Sequence, residues 1–166
     1  MITIFSGDID SGKTTAMAEY YVAHGGDGFL SIKVFEDGDF IGYDLKRLST
    51  GEKTPFARLA ESAQQFGDYI YGRFRFSIKA FESAKKTLSW IIEKDKTPIY
   101  LDEIGPIELA GGGWDKIIRV LIDSGIDIIM AIRRDCIESV IDKYLLKNVR
   151  IEYLPMEENN DRFNNR

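Results

Sequence analysis

The sequence predicts an α/β protein with a mainly parallel central sheet, helices on both faces and one added β-hairpin. Apolar, strand-like runs alternate along the chain with segments of helical periodicity, as in parallel sheets covered by helices. Residues 99–101 are apolar on both faces, which indicates a central strand. The 166 residues amount to about one domain. We therefore predict a single domain over residues 1–156, followed by a polar tail at 157–166.

Composition and charge exclude several classes of protein. Hydrophobic residues make up 44% and charged residues 30% of the chain, which are ordinary globular values and exclude disordered or fibrous chains. The net charge of -5 provides no broad attraction for nucleic acid or an anionic membrane. The single cysteine, Cys136, and the single histidine, His24, allow neither an internal disulfide nor a zinc cluster. We expect a cytoplasmic protein with no targeting segment and no membrane span.

The first half of the chain predicts a strand, a helix, a hairpin and a connection. Residues 2–5 form an apolar run before a glycine-containing turn, and helix formers at 13–24 end at Gly25. Alternating apolar residues at 30–34 and 41–45 flank Asp37-Gly38, which predicts a β-hairpin. Residues 49–67 are rich in Gly, Thr, Ser and Pro, and we predict a mobile connection that has room for a short helix at 55–65.

Besides the strand at 99–101, the second half of the chain predicts three strands and three helices. Residues 71–78 and 126–132 are strand-like, as are 149–154 near the end of the chain. Helical periodicity runs from Phe81 to Lys94 and again from the Gly111–113 link to Gly125. Asp135 and Glu138 resemble a capping box at the start of the last helix. The predicted apolar face of that helix consists of Ile137, Val140, Ile141, Tyr144 and Leu145.

The segment at 7–14, Gly-Asp-Ile-Asp-Ser-Gly-Lys-Thr, matches the P-loop (Walker A) pattern between a predicted strand and a predicted helix. In such a loop, consecutive backbone N–H groups converge on phosphate oxygens. Lys13 would carry a charge to the β and γ phosphates, and the hydroxyl of Thr14 would coordinate Mg²⁺. Thr15 would reach an α-phosphate oxygen or cap the helix. The predicted phosphate-binding set is Gly7, Asp10, Ser11, Gly12, Lys13, Thr14 and Thr15.

Two carboxylates in this loop require a separate explanation. Asp8 and Asp10 would repel a triphosphate if they faced it closely in a dry site. Asp is tolerated in turns, where it bonds its own backbone. We therefore expect both side chains to point away from the phosphates.

The pair Asp102-Glu103 ends the central strand, where nucleotide sites of open parallel sheets form. A carboxylate at this position, the Walker B position, can hold Mg²⁺. We assign that role to Asp102 and the orientation of the attacking water to Glu103. The alternative is a solvated acidic pair at the start of a loop.

Several arginines are candidates for stabilising the transferred phosphoryl group. Arg133 and Arg134 follow a strand directly, and we take Arg133 as the catalytic candidate, with an ion pair to Asp135 or Asp102 as the alternative. Other candidates from the middle segment are Arg58, Arg73 and Arg75. His24 is expected to cap the first helix, and Cys136 to be buried. The aromatic residues between Phe66 and Phe76 are expected to be mostly core-facing, with stacking on a nucleotide base as the alternative.

Four stretches together resemble the THEP-type family of small nucleoside-triphosphatases, which are P-loop NTPases with a RecA-like sheet. They are residues 7–15, 41–58, 71–82 and the segment 101–109, Leu-Asp-Glu-Ile-Gly-Pro-Ile-Glu-Leu. The resemblance implies Mg²⁺-dependent hydrolysis of several nucleoside triphosphates, with Glu103 as the activating acid. The chain departs from the family pattern at three places. It has Asp10 where many members have glycine, an apparent insertion at 111–113, and Asn159-Asn160, with Arg162 nearby, where the family has Asn-Arg.

These residues lead to the hypothesis of a nucleoside-triphosphatase that binds ATP or GTP with Mg²⁺ and requires neither nucleic acid nor a membrane. No residue pattern identifies a protein partner. One alternative is a nucleotide or small-molecule kinase in which residues 49–67 close as a lid. The other is a non-catalytic adapter whose bound nucleotide orders a loop that another protein reads.

Overall fold

The computed structural model of this chain describes residues 1–155, which form nine strands and five helices. The strands are β1 (Ile2–Gly7), β2 (Asp27–Glu36), β3 (Asp39–Arg47), β4 (Lys53–Leu59), β5 (Tyr69–Tyr71), β6 (Phe74–Phe76), β7 (Ile99–Ile104), β8 (Ile128–Arg133) and β9 (Val149–Tyr153). The helices are α1 (Lys13–His24), α2 (Ile78–Glu93), α3 (Pro106–Leu109), α4 (Asp115–Ser124) and α5 (Ile137–Tyr144).

All nine strands belong to one sheet in the order β5-β6-β4-β3-β2-β7-β8-β1-β9. From β2 to β9 the neighbouring strands are parallel, and β7 lies between β2 and β8, as its apolar sequence predicts. From β2 to β5 all pairs are antiparallel. The predicted α/β fold is therefore confirmed, and the hairpin β2–β3 joins its two halves.

Helices cover both faces of the sheet. Successive side chains of a strand point to opposite faces, so the apolar strands have side chains to bury on each side. Tyr100 packs with Met17 of α1 on one face. Its neighbours Ile99 and Leu101 pack on the other face with residues of α2, α4 and α5, among them Trp114 just before α4. None of the helices described is both long and apolar enough to cross a bilayer.

Residues 49–67 contain a strand, so the expectation of a mobile connection with a short helix is wrong there. β4 pairs with β3 on one side and β6 on the other. The register slips between Tyr43 and Asp44, where Pro55 lies opposite Asp44. A bulge of this kind tolerates proline. It also buries two consecutive residues, Phe56 and Ala57, so the sequence of β4 lacks the alternation of buried and exposed residues that identifies a strand.

The run at 71–78 is not one strand but a hairpin and a helix start. β5 and β6 pair antiparallel around Gly72, which has φ 56°. Helix α2 begins at Ile78, and the Ser77 side chain accepts a hydrogen bond from the Ala80 amide at 3.2 Å. Because the capping residue Ser77 directly follows the aromatic run, the sequence does not show where the strand ends or where α2 begins.

The capping box predicted for the last helix is absent from this part of the structure. A short 3₁₀ turn over 134–136 leads into α5, and no side chain caps that helix. The Asp135 carboxylate bonds to Arg133 instead. Contrary to the prediction, Leu145 does not lie on the buried apolar face of α5 but is 78% exposed. It follows the last residue of α5 and has a left-handed φ of 51°.

Candidate active site

The loop between β1 and α1 has the backbone geometry that its two glycines require. Gly12 begins α1 with φ 83°, a conformation that L side chains rarely adopt. At Gly7 a Cβ would lie 2.2 Å from the Ser11 Oγ, so a larger residue would require the Ser11 side chain to move. Asp10 also has a left-handed φ of 64°, which Asp tolerates better than most residues. This conformation explains how Asp10 can occupy a position that otherwise suits glycine.

Lys13 is held under the loop. Its side chain is buried, with 5% of its surface exposed. The ammonium donates to the Gly7 carbonyl at 3.2 Å and to the Asp8 carbonyl at 2.5 Å. The charge is thus fixed beside the first-turn amides of α1, which have no partner within the helix. Together they form a concave, positively polarised surface for an anion.

Asp102 joins the loop to the end of β7. Its carboxylate is 2% exposed and accepts from the Thr14 hydroxyl at 2.7 Å and the Ser31 amide at 3.0 Å. Burial, and secondarily the charge of Glu103, raise the pKa of Asp102, while these hydrogen bonds oppose the rise. Two segments 88 residues apart therefore meet in one hydrogen bond, as the sequence hypothesis requires.

Glu103 is turned out of the sheet by a bulge. The register between β7 and β8 shifts between Leu101 and Ile104, and Glu103 has φ 59°. A positive φ is strained for a glutamate, and such strain is concentrated at functional sites. The irregularity carries the Glu103 side chain into the cleft that Lys13 and Thr14 line. The sequence located Glu103 at the strand end but contained no signal for the bulge.

The Thr14 hydroxyl and the Asp102 carboxylate suit Mg²⁺ as a pair. Mg²⁺ prefers hard oxygen ligands and is usually bound through one or two protein groups, with waters and phosphate oxygens completing its shell. Among residues 1–155 no cluster of three or more His, Cys, Asp or Glu side chains offers a closed metal cage. The donor set thus fits a metal that arrives with a polyphosphate.

A single cleft of about 790 Å³ connects these groups, a size typical of small-molecule sites. One wall comes from the loop and the end of β7, and the other from the antiparallel half of the sheet. The lining residues from the loop are Ile9, Asp10, Ser11, Gly12, Lys13, Thr14 and Thr15. The remaining lining residues are Ser31, Ile32, Lys33, Tyr43, Phe56, Tyr71, Arg73, Phe74, Phe76, Glu103, Ile107 and Arg133.

Asp10 lines this cleft, so the expectation that its side chain points away is wrong. Its carboxylate forms an ion pair with Lys33 of β2 at 2.6 Å, which offsets its charge. Asp8 is exposed and is not among the lining residues. Lys33 and Ser31 are site residues that sequence reasoning missed, because nothing in a hairpin strand shows which loop it will face.

Two of the five candidate arginines, Arg73 and Arg133, line the cleft, and the other three, Arg58, Arg75 and Arg134, are not among its lining residues. Arg133 lines the cleft, but Asp135 holds its guanidinium with hydrogen bonds of 3.1 and 2.9 Å, which is the ion-pair alternative. Arg134 donates to the Leu154 carbonyl, and Arg58 forms an ion pair with Asp44.

Two further side chains were singled out in the sequence. Cys136 is buried as expected, and burial raises the pKa of its thiol. His24 places its Nδ1 2.9 Å from the Tyr20 carbonyl, in the last turn of α1, as expected for a helix-capping residue.

The segment after Glu103 is fixed by a buried acid. The Glu108 carboxylate accepts from the Gly105 amide at 2.9 Å and the Trp114 amide at 3.1 Å. Burial raises the pKa of Glu108 to about 6. The Glu108 carboxylate thereby ties the residue that follows β7 to the residue that follows the glycine link at 111–113.

A strand, a phosphate-binding loop and a helix, with an acidic strand end two strands away across the sheet, define a P-loop NTPase fold. A profile of the NTPase family matches residues 2–165, and the chain belongs to this family. The tail residues Asn159, Asn160 and Arg162, where the chain departs from the family pattern, lie outside the described residues.

Two curated relatives have the same name. Nucleoside-triphosphatase THEP1 of Methanocaldococcus jannaschii is 23% identical over 125 residues, which cover 75% of this chain and 71% of the relative. The protein of that name from Pyrobaculum calidifontis is 26% identical over 112 residues, or 68% of this chain. The chain spans only 59% of the length of that second relative.

Two solved structures share the fold. The crystal structure of THEP1 from the hyperthermophile Aquifex aeolicus superposes with a TM-score of 0.71 at 19% identity, over 96% of this chain and 92% of that one. The solution structure of a human cancer-related nucleoside triphosphatase gives a TM-score of 0.61 at 18% identity, over 95% and 89% of the two chains.

Proposed function

We propose that this chain is a Mg²⁺-dependent nucleoside-triphosphatase that hydrolyses ATP, GTP and other nucleoside triphosphates to the diphosphate and phosphate. The observation that carries the proposal is the 2.7 Å hydrogen bond from Thr14 to Asp102, with Glu103 in the same cleft. It joins the two parts that phosphoryl transfer needs, a phosphate cradle and an acidic strand end. The relatives named nucleoside-triphosphatase support the same activity.

In the proposed reaction, the loop amides and Lys13 bind the β and γ phosphates. Catalysis of phosphoryl transfer is mostly positioning and charge stabilisation, so the fixed position of Lys13 is an advantage. Glu103 accepts a hydrogen bond from water and orients its oxygen in line with the γ-phosphorus. That oxygen bonds to phosphorus as the bond to the bridging oxygen breaks, and the water gives up a proton to the Glu103 carboxylate, which passes it to solvent. The nucleoside diphosphate and inorganic phosphate then leave.

Thr14 and Asp102 are the residues that would hold Mg²⁺. When bound, the ion would neutralise charge on the β and γ oxygens. Arg133 is retained as a candidate at the cleft, where Asp135 holds its side chain. Because the pair with Asp135 already uses two of its donors, we expect Arg133 to contribute less than Glu103.

The kinase alternative loses its proposed lid in this structure. Residues 53–59 form β4, which has hydrogen-bonded neighbours on both sides. A strand within a sheet cannot close and open as a lid does without breaking these ladders. We therefore favour water as the acceptor.

Phosphate release from purified protein with Mg²⁺ and each nucleoside triphosphate tests the proposal. We expect Glu103→Gln to lower kcat by roughly a hundredfold or more with little change in nucleotide affinity, because water loses its orienting acceptor. Lys13→Ala should weaken nucleotide binding as well. The matched control is Glu138→Gln, an exposed glutamate of α5, which should hydrolyse at the wild-type rate. Phosphate release that survives Glu103→Gln unchanged would refute this role for Glu103.

A further inference from the structure

The β5–β6 hairpin reaches the cleft from the far edge of the sheet. Tyr71 and Arg73 flank Gly72 at its turn, and both line the cleft that also contains Lys13 and Glu103. Five strands separate β6 from β1 in the sheet order. Twist accumulates over a sheet of this size, so its antiparallel edge curls round to face the phosphate-binding loop.

Among residues 1–155, Arg73 differs from Lys33 and Arg133 in having no acidic partner, and from Lys13 in not being bonded to the loop. The cleft-lining cations are Lys13, Lys33, Arg73 and Arg133. Lys33 pairs with Asp10, and Arg133 pairs with Asp135. Within residues 1–155, Arg73 forms no ion pair with a carboxylate, and Lys13 is committed to the loop.

Aromatic rings hold the Arg73 guanidinium. Its central carbon lies 5.2 Å from the centroid of the Phe74 ring and 5.8 Å from that of Phe40. A guanidinium packed on aromatic rings keeps its N–H donors at the edge of its plane, where they can bind two oxygens of one phosphate. The rings therefore orient the group without using its donors.

Arg73 shares its cleft with the groups that would face the γ end of a nucleotide in the proposed reaction. Metal-bound β and γ phosphates would lie near the Thr14–Asp102 contact, and Lys13, Glu103 and Arg73 line the same cleft. In the sheet order, the hairpin of Arg73 lies on the β2–β3 side of β7, opposite to β1 and its loop. Burial first, and then the charges of Glu103 and Asp10, raise the pKa of Tyr43 to about 12, and Arg73 opposes them. These charged groups therefore converge on the space around Tyr43.

We propose that Arg73 acts within its own chain as the arginine that stabilises the charge on the transferred γ-phosphoryl group. This inference rests on the proposed function. It makes Arg73 a catalytic residue, supplied by the hairpin β5–β6, and it means that hydrolysis needs no arginine from a partner.

The test compares Arg73→Ala, Arg73→Lys and a matched control in single-turnover phosphate release with Mg²⁺·ATP. The control is Arg134→Ala, which removes an exposed arginine that is not among the cleft-lining residues. An arginine in this role is worth about a thousandfold or more in kcat, so Arg73→Ala should lose about that factor. Its affinity for a non-hydrolysable ATP analogue should change far less. Arg73→Lys should recover only part of the rate because it cannot bind two oxygens in a fork.

Chemical rescue separates catalysis from folding. Free guanidinium ion at concentrations below those that unfold the chain should restore part of the rate of Arg73→Ala and leave Arg134→Ala unchanged. The wild-type rate per molecule should not depend on protein concentration, because the arginine comes from the same chain.

The outcomes separate this inference from the proposed function. Absence of phosphate release from the wild-type protein would contradict the function itself. An active wild-type protein whose Arg73→Ala variant keeps its kcat within about threefold would overturn the role of Arg73 alone. A loss of rate without any guanidinium rescue, accompanied by a matching loss of thermal stability, would also overturn it.

Discussion

Asp10 is an acid in the loop that we propose binds phosphate, and its neighbours explain why it is tolerated there. Its left-handed backbone is accessible to Asp and Asn, and Lys33 offsets its charge across the cleft. The ion pair is solvent-exposed, so it adds little to stability. The pair instead affects the electrostatic potential in the cleft where a nucleotide would bind.

We expect Asp10→Asn to raise affinity for Mg²⁺·ATP about threefold to tenfold, since it removes a negative charge and releases Lys33 toward the phosphates. Asparagine keeps the left-handed conformation, so the melting temperature should hardly change. Titration calorimetry measures the affinity. Asp8→Asn removes an equal charge outside the cleft lining and serves as the control. Weaker binding by Asp10→Asn would mean that the Asp10–Lys33 pair organises the loop.

Among the elements, the strands that carry the site are the ones predicted best. The sequences of β1, β7 and β8 are continuous apolar runs because both faces of these strands are buried. Such runs can be recognised as strands from the sequence alone. β4 and the β5–β6 hairpin were misread, because a bulge at Phe56 and a turn at Gly72 break their alternation. The bulge that directs Glu103 is likewise a product of pairing between β7 and β8.

The link after β7 provides a test of stability at the level of an element. Burial raises the pKa of Glu108 to about 6 from 4.5, so the folded protein binds its proton more tightly than the unfolded chain does. The contribution of this group to the free energy of unfolding is therefore fully present below about pH 4.5 and is lost as the pH rises through about 6. The difference is about 2 kcal/mol.

Glu108→Gln cannot titrate. We expect the free energy of unfolding of the wild type, minus that of Glu108→Gln, to fall by about 2 kcal/mol between pH 4.5 and 7.5. Urea denaturation at four pH values in this range measures it. Glu138→Gln, on the exposed face of α5, is the matched control. A flat difference for Glu108→Gln would exclude the buried carboxyl as a source of pH dependence.

At the scale of the whole molecule, both halves of the sheet line the cleft. The parallel half contributes the loop and the acidic strand end, and the antiparallel half contributes Tyr43, Arg73 and the aromatic wall. A ligand that contacts both halves should therefore stabilise the entire fold rather than one segment.

We expect Mg²⁺ with a non-hydrolysable ATP analogue at about 100 times its Kd to stabilise the protein by about 2.7 kcal/mol. That corresponds to a rise in melting temperature of roughly 5–10 °C for a domain of this size. Chelation of the metal with EDTA should remove most of the rise, and Lys13→Ala should show little of it in either condition. An equal rise with and without Mg²⁺ would contradict metal binding by Thr14 and Asp102.

The sequence by itself determined the fold class and the positions of the P-loop pattern and the acidic pair, because each depends on residues adjacent in the chain. A glycine spacing and an apolar strand that ends in two acids need no distant partner to be recognised. Tertiary structure alone decided that Lys33 faces Asp10, that a bulge turns Glu103 into the cleft, and that Arg73 arrives from the opposite edge. Those placements follow from strand register and from the accumulated twist of nine strands, which depend on pairings between segments far apart in the chain.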